Sequence, residues 1–329
     1  MSFKALITEQ TDNGYSSRLG EREIADLPAG EVLVKVHWSS LNFKDALSAS
    51  GNKGVTRQFP HTPGIDAVGV VEQADSGPFK PGDTVICTGY DLGMNTAGGY
   101  GDYIRVPAGW LVALPDGLSP RDAMVLGTAG LTGALCVDAL LEAGLKAEQG
   151  EVLVTGATGG VGSTAVSILS RLGFQVVAVT GKEDAHDWLR QLGAQEIVGR
   201  DALAAGKGPM GKSRWAGVVD CVGGEMLVSA LKTLQYGCNA ACCGLAGSPN
   251  LDGLTVFPFI LRGVGLLGVD SVELPLETKQ RVWQRLASDW QPDLATLEGA
   301  EVTREQLPEW FERILSGGVR GRVVVKVAG

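Results

Sequence analysis

The residues best suited to chemistry lie in one short run, Val152-Leu153-Val154-Thr155-Gly156-Ala157-Thr158-Gly159-Gly160-Val161-Gly162. An apolar, β-rich stretch runs into glycines, and a helix is predicted to open at Gly162 or Ser163. The spacing is Gly-x-x-Gly-Gly-x-Gly, a variant of Gly-x-Gly-x-x-Gly with unchanged physics. Glycines turn the chain tightly and let its backbone approach a pyrophosphate, and a helix N-terminus offers unpaired N–H groups and partial positive charge. A plain tight turn is the alternative. The predicted order of strand, glycines, helix and second strand favours dinucleotide binding by Gly159, Gly160, Val161 and Gly162.

The end of that second strand, Gln175–Val179, selects the cofactor. An acid there would hold the ribose 2′-hydroxyl of NAD. This chain has Thr180-Gly181-Lys182 instead, with Arg200 just after the next predicted strand. Thr180, Lys182 and Arg200 can donate to a 2′-phosphate, so NADPH is expected. Glu183 and Asp184 follow at once and are read as helix-start residues facing the helix dipole. If either folds back onto the ribose, NADH can serve.

A metal is not expected. The three histidines, His37, His61 and His186, are dispersed, and the six cysteines include no Cys-x-x-Cys pair. Five cysteines sit in apolar or glycine-rich contexts, which suits buried thiols in a reducing compartment. A formal charge of −9 argues against a general nucleic-acid surface, so an anionic ligand needs a local cation cluster.

These residues need a scaffold, and 329 residues is too long for one ordinary core. The first part reads as short strands between turns. Val32, Val34 and Val36 alternate with polar residues, and Ala67-Val68-Gly69-Val70-Val71 is an apolar run, which together suggest a barrel-like β unit. Helical patterns begin near residue 120, over Arg121–Gly127 and Leu131–Leu141. After Gly150 strands and helices alternate, which predicts a parallel sheet covered on both faces. Arg322–Val327 reads as a closing strand. The expected class is α/β, a β unit split by an inserted doubly wound unit. Met1–Glu9 reads as a first strand rather than a signal peptide, and the apolar runs are short or broken. No membrane partner and a cytoplasmic location are expected.

The combination of Ser39-Ser40-Leu41-Asn42-Phe43-Lys44-Asp45, Pro63-Gly64-Ile65-Asp66, Gly127-Thr128-Ala129-Gly130, Gly159-Gly160-Val161-Gly162 and Gly321-Arg322 resembles the quinone oxidoreductase-like branch of the medium-chain dehydrogenases/reductases. Phe259-Ile260-Leu261-Arg262, Gly268-Val269-Asp270-Ser271 and Val179-Thr180-Gly181-Lys182 narrow the resemblance to the zinc-free acrylyl-CoA reductase (NADPH) group. It covers essentially the whole chain. It implies a GroES-like β-barrel catalytic domain, residues 1–122 and 268–329, around a Rossmann domain, residues 123–267, with the cofactor in the interdomain cleft. It places Asn42 and Phe43 by the nicotinamide, with Lys44 and Asp45 close by. It puts Thr128, Val222, Gly244, Leu245, Val269, Asp270 and Ser271 along the cofactor, Gly181 at the 2′-phosphate and Arg322 at the phosphates. Close relatives often have Tyr where this chain has Phe43, so the final proton must come from elsewhere, such as Tyr90 or water. Plainer roles stay open: packing for Phe43, helix capping for Asp45 and a turn for Asp270.

The implied reaction is NADPH-dependent reduction of the C=C bond of an α,β-unsaturated thioester, acryloyl-CoA to propionyl-CoA. Lys53, Arg57 and Arg262 are candidates for a basic mouth toward the nucleotide part of CoA. The alternatives are a quinone or free-enone reductase, which needs the same geometry, and a non-catalytic nucleotide- or nucleic-acid-binding protein on the same fold. A homodimer is expected.

Overall fold

The alternating valines 32, 34 and 36 do form a buried-face strand in the computed structural model, which describes residues 1–203 and 208–328. Along the chain, β1 (Ser2–Thr11) and β2 (Gly14–Glu23) precede β3 (Val32–Ser40), α1 (Phe43–Ala49), β4 (Asp66–Ala74), β5 (Thr84–Thr88), β6 (Tyr103–Val106), β7 (Leu111–Ala113) and α2 (Pro120–Glu142). Strands and helices then alternate as β8 (Glu151–Val154), α3 (Gly160–Arg171), β9 (Gln175–Val179), α4 (His186–Gln191), β10 (Glu196–Val198), β11 (Trp215–Asp220), α5 (Gly224–Thr233), β12 (Leu234–Cys242), α6 (Phe257–Arg262) and β13 (Gly265–Gly268). The last elements are α7 (Leu276–Leu286), α8 (Leu294–Leu297), β14 (Glu298–Thr303), α9 (Leu307–Leu315) and β15 (Arg322–Lys326).

The chain divides into two compact units. One takes Met1–Thr128, Val272–Ala287 and the stretch from Glu298 onward; the other takes Ala129–Ser271 and Ser288–Leu297. The breaks expected after residues 122 and 267 therefore fall later, after Thr128 and Ser271. The two helices expected on either side of residue 127 are both present: they follow one another as α2, separated by a non-helical break at Gly127 (φ 53°, ψ −157°). By length and apolar composition α2 could span a bilayer, but most of it is buried, as in the core helix of a globular protein.

In the first unit, strands run in the order β14-β15-β3-β4-β5-β7, with β6 also on β3, and β1 and β2 form an antiparallel hairpin. Val32, Val34, Val36, Val71, Val85 and Ile104 share one core, and each such side chain contributes about 1.5–3 kcal/mol by leaving water. The hairpin partner β2 escapes the sequence reading because its residues are largely polar and none is buried.

The second unit is a six-stranded parallel sheet in the order β10-β9-β8-β11-β12-β13. Its central strands are buried on both faces, which explains the uninterrupted Val152-Leu153-Val154 and Val176–Val179 runs. The strand order reverses between β8 and β11, so the carboxyl ends of these strands form the crevice where doubly wound sheets bind ligands.

Candidate cofactor and catalytic sites

The glycine turn leaves β8 at that crevice. Thr155 donates its backbone N–H to Val219 O (3.0 Å) and its hydroxyl to Asp220 Oδ1 (2.7 Å), which fixes the start of the turn to β11. Gly156 is left-handed (φ 59°), and its carbonyl accepts the Gly159 N–H at 3.0 Å. α3 opens at Gly160, slightly earlier than expected, with Gly159 as N-cap and no side chain capping it. A Cβ on Gly162 would lie 2.5 Å from Gly156 O and 2.9 Å from Ala157 Cα, so no larger residue fits there without moving backbone. Three successive uncapped helix-start amides beside a tight turn form an anion cradle.

At the end of β9, Thr180 is buried and donates its N–H to Val198 O (3.1 Å), while its hydroxyl oxygen accepts the Lys182 N–H (3.0 Å). The Arg200 guanidinium lies against Gly181: a Cβ there would stand 3.5 Å from Arg200 Nε. Thr180, Gly181 and Arg200 thus meet at neighbouring strand ends, with Lys182 next in the chain. Glu183 and Asp184 open a short 3-10 turn and are exposed. The α-helix expected to start at Asp184 begins instead at His186.

The ends of β11, β12 and β13 surround a cavity of about 600 Å³. Gly223, Cys243, Gly244, Leu245, Val269 and Asp270 are among its lining residues. Gly244 packs so closely that a Cβ would come within 2.2 Å of Cys221 O. Val222 faces the glycine turn, its Cγ2 3.3 Å from where a Gly156 Cβ would be. Asp220, beneath this wall, has its carboxyl pushed up by burial, against the pull of Thr155 and Gly223.

In the first unit, Asn42, Asp45, Thr128 and Arg322 converge with Ser40 and Tyr100 around Asp66, which is fully buried. Asp66 accepts the Thr128 N–H (2.9 Å) and hydroxyl (2.5 Å), the Asn42 amide (2.8 Å) and the Ser40 hydroxyl. The kink at Gly127 makes this possible, since a Cβ there would meet both Asp66 Oδ2 and Ser40 Oγ at 2.5 Å. Asp45 accepts N–H bonds from Asn42 and Ile65, both 2.8 Å, and the Tyr100 hydroxyl at 3.0 Å. Its Asn42 contact is the carboxylate half of a capping box on α1, the plainer role considered for it. Burial, then the neighbouring Asp66, raises the Asp45 pKa to about 7. α1 thereby holds Phe43 49% exposed at its first turn, with Lys44 beside it, half-buried.

Several expected contacts take a different form. Arg322 is 3% exposed and its donors reach Val125 O, Leu41 O, Asn42 Oδ1 and Ser40 Oγ, so it braces the Asp66 network instead of offering itself to phosphates. Arg262 donates to the carbonyls of Lys232, Leu234 and Gly211, which removes it from a basic mouth. Ser271 is buried, its Oγ 2.8 Å from the Thr132 hydroxyl. The Tyr90 hydroxyl donates to Leu274 O (3.2 Å), and its ring stacks on Trp110, so it is poorly placed to release a proton. Lys53 is exposed over the Phe59 ring, 5.0 Å from its centre, and Arg57 is exposed. Asp66, Ser40 and Tyr100 have no role in the sequence reading; only the Pro63–Asp66 and Ser39–Asp45 motifs hint at two of them.

A zinc ion does not fit the residues present. Among the described residues no group of three or more His, Cys, Asp or Glu side chains could hold one. His61 uses Nε2 on Gly93 O (2.9 Å), and burial lowers its pKa to about 4. A dinucleotide does fit, on the cradle of α3 and the cluster at the end of β9.

Residues 28–116 match the alcohol dehydrogenase GroES-like domain, and residues 160–288 match the family described as zinc-binding dehydrogenase. The chain is 45% identical to the acrylyl-CoA reductase AcuI of Ruegeria pomeroyi, over 99% of each chain. The YhdH oxidoreductase of Salmonella enterica, solved in complex with NADP, superposes with a TM-score of 0.95 at 46% identity, covering 99% of this chain and 100% of that one. The Bacillus subtilis protein YhfP, solved with NAD bound, gives a TM-score of 0.96 at 45% identity over 99% of each chain.

Proposed function

Since this chain belongs to the medium-chain dehydrogenase/reductase family, in its quinone oxidoreductase-like branch with the acrylyl-CoA reductases, we propose that it is an NADPH-dependent oxidoreductase that reduces the C=C bond of acryloyl-CoA to give propionyl-CoA. The observation that carries this reading is the end-to-end likeness to an acrylyl-CoA reductase. The glycines and cations of the second unit support the choice of cofactor.

On that unit, the N–H groups of Gly160, Val161 and Gly162 hold the pyrophosphate, and Gly159 lets it approach. Thr180, Gly181, Lys182 and Arg200 hold the 2′-phosphate. Val222, Gly244, Leu245 and Val269 form a mainly apolar wall for the rest of the cofactor, with the Asp270 carboxylate at its exposed edge. Bound NADPH supplies the hydride that the β-carbon accepts. On the first unit, Phe43 offers an exposed apolar ring suited to a small acyl group. Asn42 and Thr128, through Asp66, and Asp45, through its capping contact with the Asn42 N–H, are positioning residues that fix the first turn of α1. A conjugated thioester suits a site without a Lewis acid, because its carbonyl spreads the incoming charge as an enolate, and one well-placed donor stabilises such an oxygen by about 3 kcal/mol. With Tyr90 bonded to Leu274 O, a water is the better source of the α-carbon proton. Lys53 and Arg57 are exposed cations, which suits the phosphates of CoA.

Two finer points belong to the same proposal. A homodimer is supported by β13, an edge strand with Leu266 exposed, and by exposed Ile260 and Leu261 on α6. A cytoplasmic setting is supported by six unpaired cysteines. Turnover tests the function: NADPH oxidation is measured with acryloyl-CoA, longer enoyl-CoAs, quinones and simple enones. Acryloyl-CoA should give the highest kcat/KM. Efficient quinone turnover without acryloyl-CoA activity would replace this reading with the quinone reductase alternative.

A further inference from the structure

Five thiols of the second unit, Cys136, Cys221, Cys238, Cys242 and Cys243, have no part in the proposed reaction. Asp220 and Cys242 are in-register partners on the parallel strands β11 and β12, so Cys221 and Cys243 are the next residues beyond the two strand ends. The Cys243 N–H donates to Asp220 O at 3.0 Å, which keeps the two chain segments paired at this level. Their sulfurs are 3.9 Å apart. Neighbouring strands run about 4.8 Å apart, inside the roughly 4.4–6.8 Å Cα separation that a disulfide spans. Cys242, by contrast, directs its sulfur toward Asp220 Oδ2 and Gly244 O.

The two thiols also differ in access and character. Cys243 lines the cavity of about 600 Å³, whereas Cys221 is absent from its lining. As a thiol, Cys243 can donate to Asp220 O, 3.4 Å away. Hydrogen bonds from Cys136 and Cys221 act the other way and bring its pKa below the usual thiol value, while those two neighbours are raised well above it. A sulfur that is reachable from a cavity, lies 3.9 Å from a second thiol and has its pKa drawn downward has the arrangement of a peroxide-reactive pair.

We propose that Cys243 and Cys221 form a peroxide-sensitive dithiol, with Cys243 as the oxidised residue and Cys221 as the resolving one. The Cys243 thiolate attacks one oxygen of hydrogen peroxide. The S–O bond forms, the O–O bond breaks, and the departing hydroxide takes a proton to leave as water. The Cys221 sulfur then attacks the sulfenic sulfur; the S–S bond forms, the S–O bond breaks, and the hydroxyl leaves as a second water with the Cys221 proton. The two sulfurs lose two electrons and peroxide gains them. Closing the pair draws Cys243 toward Cys221 and shifts Gly244, which already touches the Cys221 carbonyl. Gly244 and Leu245 are part of the cofactor wall, so the disulfide weakens NADPH binding; this consequence rests on the functional reading above, whereas the disulfide itself does not.

The test treats the full-length protein with hydrogen peroxide, maps its peptides without reduction, and titrates NADPH before and after. Two thiols per chain should be lost, a Cys221–Cys243 linkage should appear, and NADPH affinity should fall by roughly tenfold, the worth of about one hydrogen bond. Dithiothreitol should restore both. C221S should stop at a sulfenic acid on Cys243 that dimedone traps, and C238S should form the linkage as the wild type does. A Cys136–Cys243 linkage, or a Cys243 no more reactive than buried Cys87, overturns the pair. A linkage with unchanged NADPH affinity overturns its coupling to the cofactor. Reduced protein that does not bind NADPH overturns the cofactor reading and leaves the dithiol standing.

Discussion

Gly162→Ala puts one methyl group where the cofactor cradle has no room. Its Cβ would stand 2.5 Å from Gly156 O and 2.9 Å from Gly156 C and Ala157 Cα, all of them backbone. Ordinary contact begins near 3.4 Å, so the turn must retreat by about 0.9 Å from the start of α3. Overpacking of this kind costs about 1–3 kcal/mol. The Gly156 carbonyl also anchors the Gly159 N–H, so the displacement reaches the amides expected to hold the pyrophosphate. NADPH affinity should therefore fall roughly 10- to 100-fold, which corresponds to about 1.4–2.7 kcal/mol. The assay is fluorescence titration of NADPH, with thermal unfolding followed in parallel. The same substitution at Gly109, where nothing lies within 4 Å of a Cβ, should leave both unchanged. A folded Gly162→Ala protein that binds NADPH within twofold of the wild type would refute the assignment of the cradle.

Replacing Lys182 and Arg200 together by Ala should weaken NADPH by about 10- to 100-fold, the range of one or two charge-assisted hydrogen bonds, and NADH hardly at all; equal losses in paired titrations would contradict the 2′-phosphate site. Asp45 has its pKa raised from 3.8 to about 7, so folding takes up a proton between those values. Its contribution to stability is complete below about pH 4 and is lost as pH rises through 7, on the order of 4 kcal/mol in all. Asp45→Asn should flatten that part of the pH–stability curve in denaturant titrations, and an unchanged slope would mean that Asp45 stays ionised throughout. Prolonged chelation should leave NADPH-dependent turnover intact, since the described residues offer no metal-binding group; loss with chelator and recovery with added zinc would count against this.

The parallel sheet was legible because buried strands must be apolar on both faces, and Val152–Val154 and Val176–Val179 have no other plausible state. The cradle was legible because its constraint is largely local: Gly159 and Gly162 answer to backbone of Gly156 and Ala157 only a few residues away. The strand β2 was not, because Ser16, Arg18 and Glu21 carry no apolar period in a strand that buries none of its residues. The Asp66 network was legible only in part. Its hydrogen bonds join residues 24 to 282 positions apart, and such separations leave no spacing to read. Arg322 and Arg262 show the same limit: a cation facing a ligand and one satisfying buried carbonyls look alike in a sequence. Resemblance supplied Asn42, Asp45 and Thr128, and only the geometry shows that Asn42 and Thr128 meet on the buried Asp66 while Asp45 holds the Asn42 backbone.

The most direct test of the proposed chemistry follows the hydrogens. Acryloyl-CoA is reduced with NADPH carrying deuterium at the transferable C4 position, and separately with unlabelled NADPH in deuterated water, and propionyl-CoA is analysed by NMR. Label from the cofactor should appear at the β-carbon, and label from solvent at the α-carbon. Cofactor deuterium at the α-carbon, or no propionyl-CoA formed while quinones are reduced efficiently, would contradict the account.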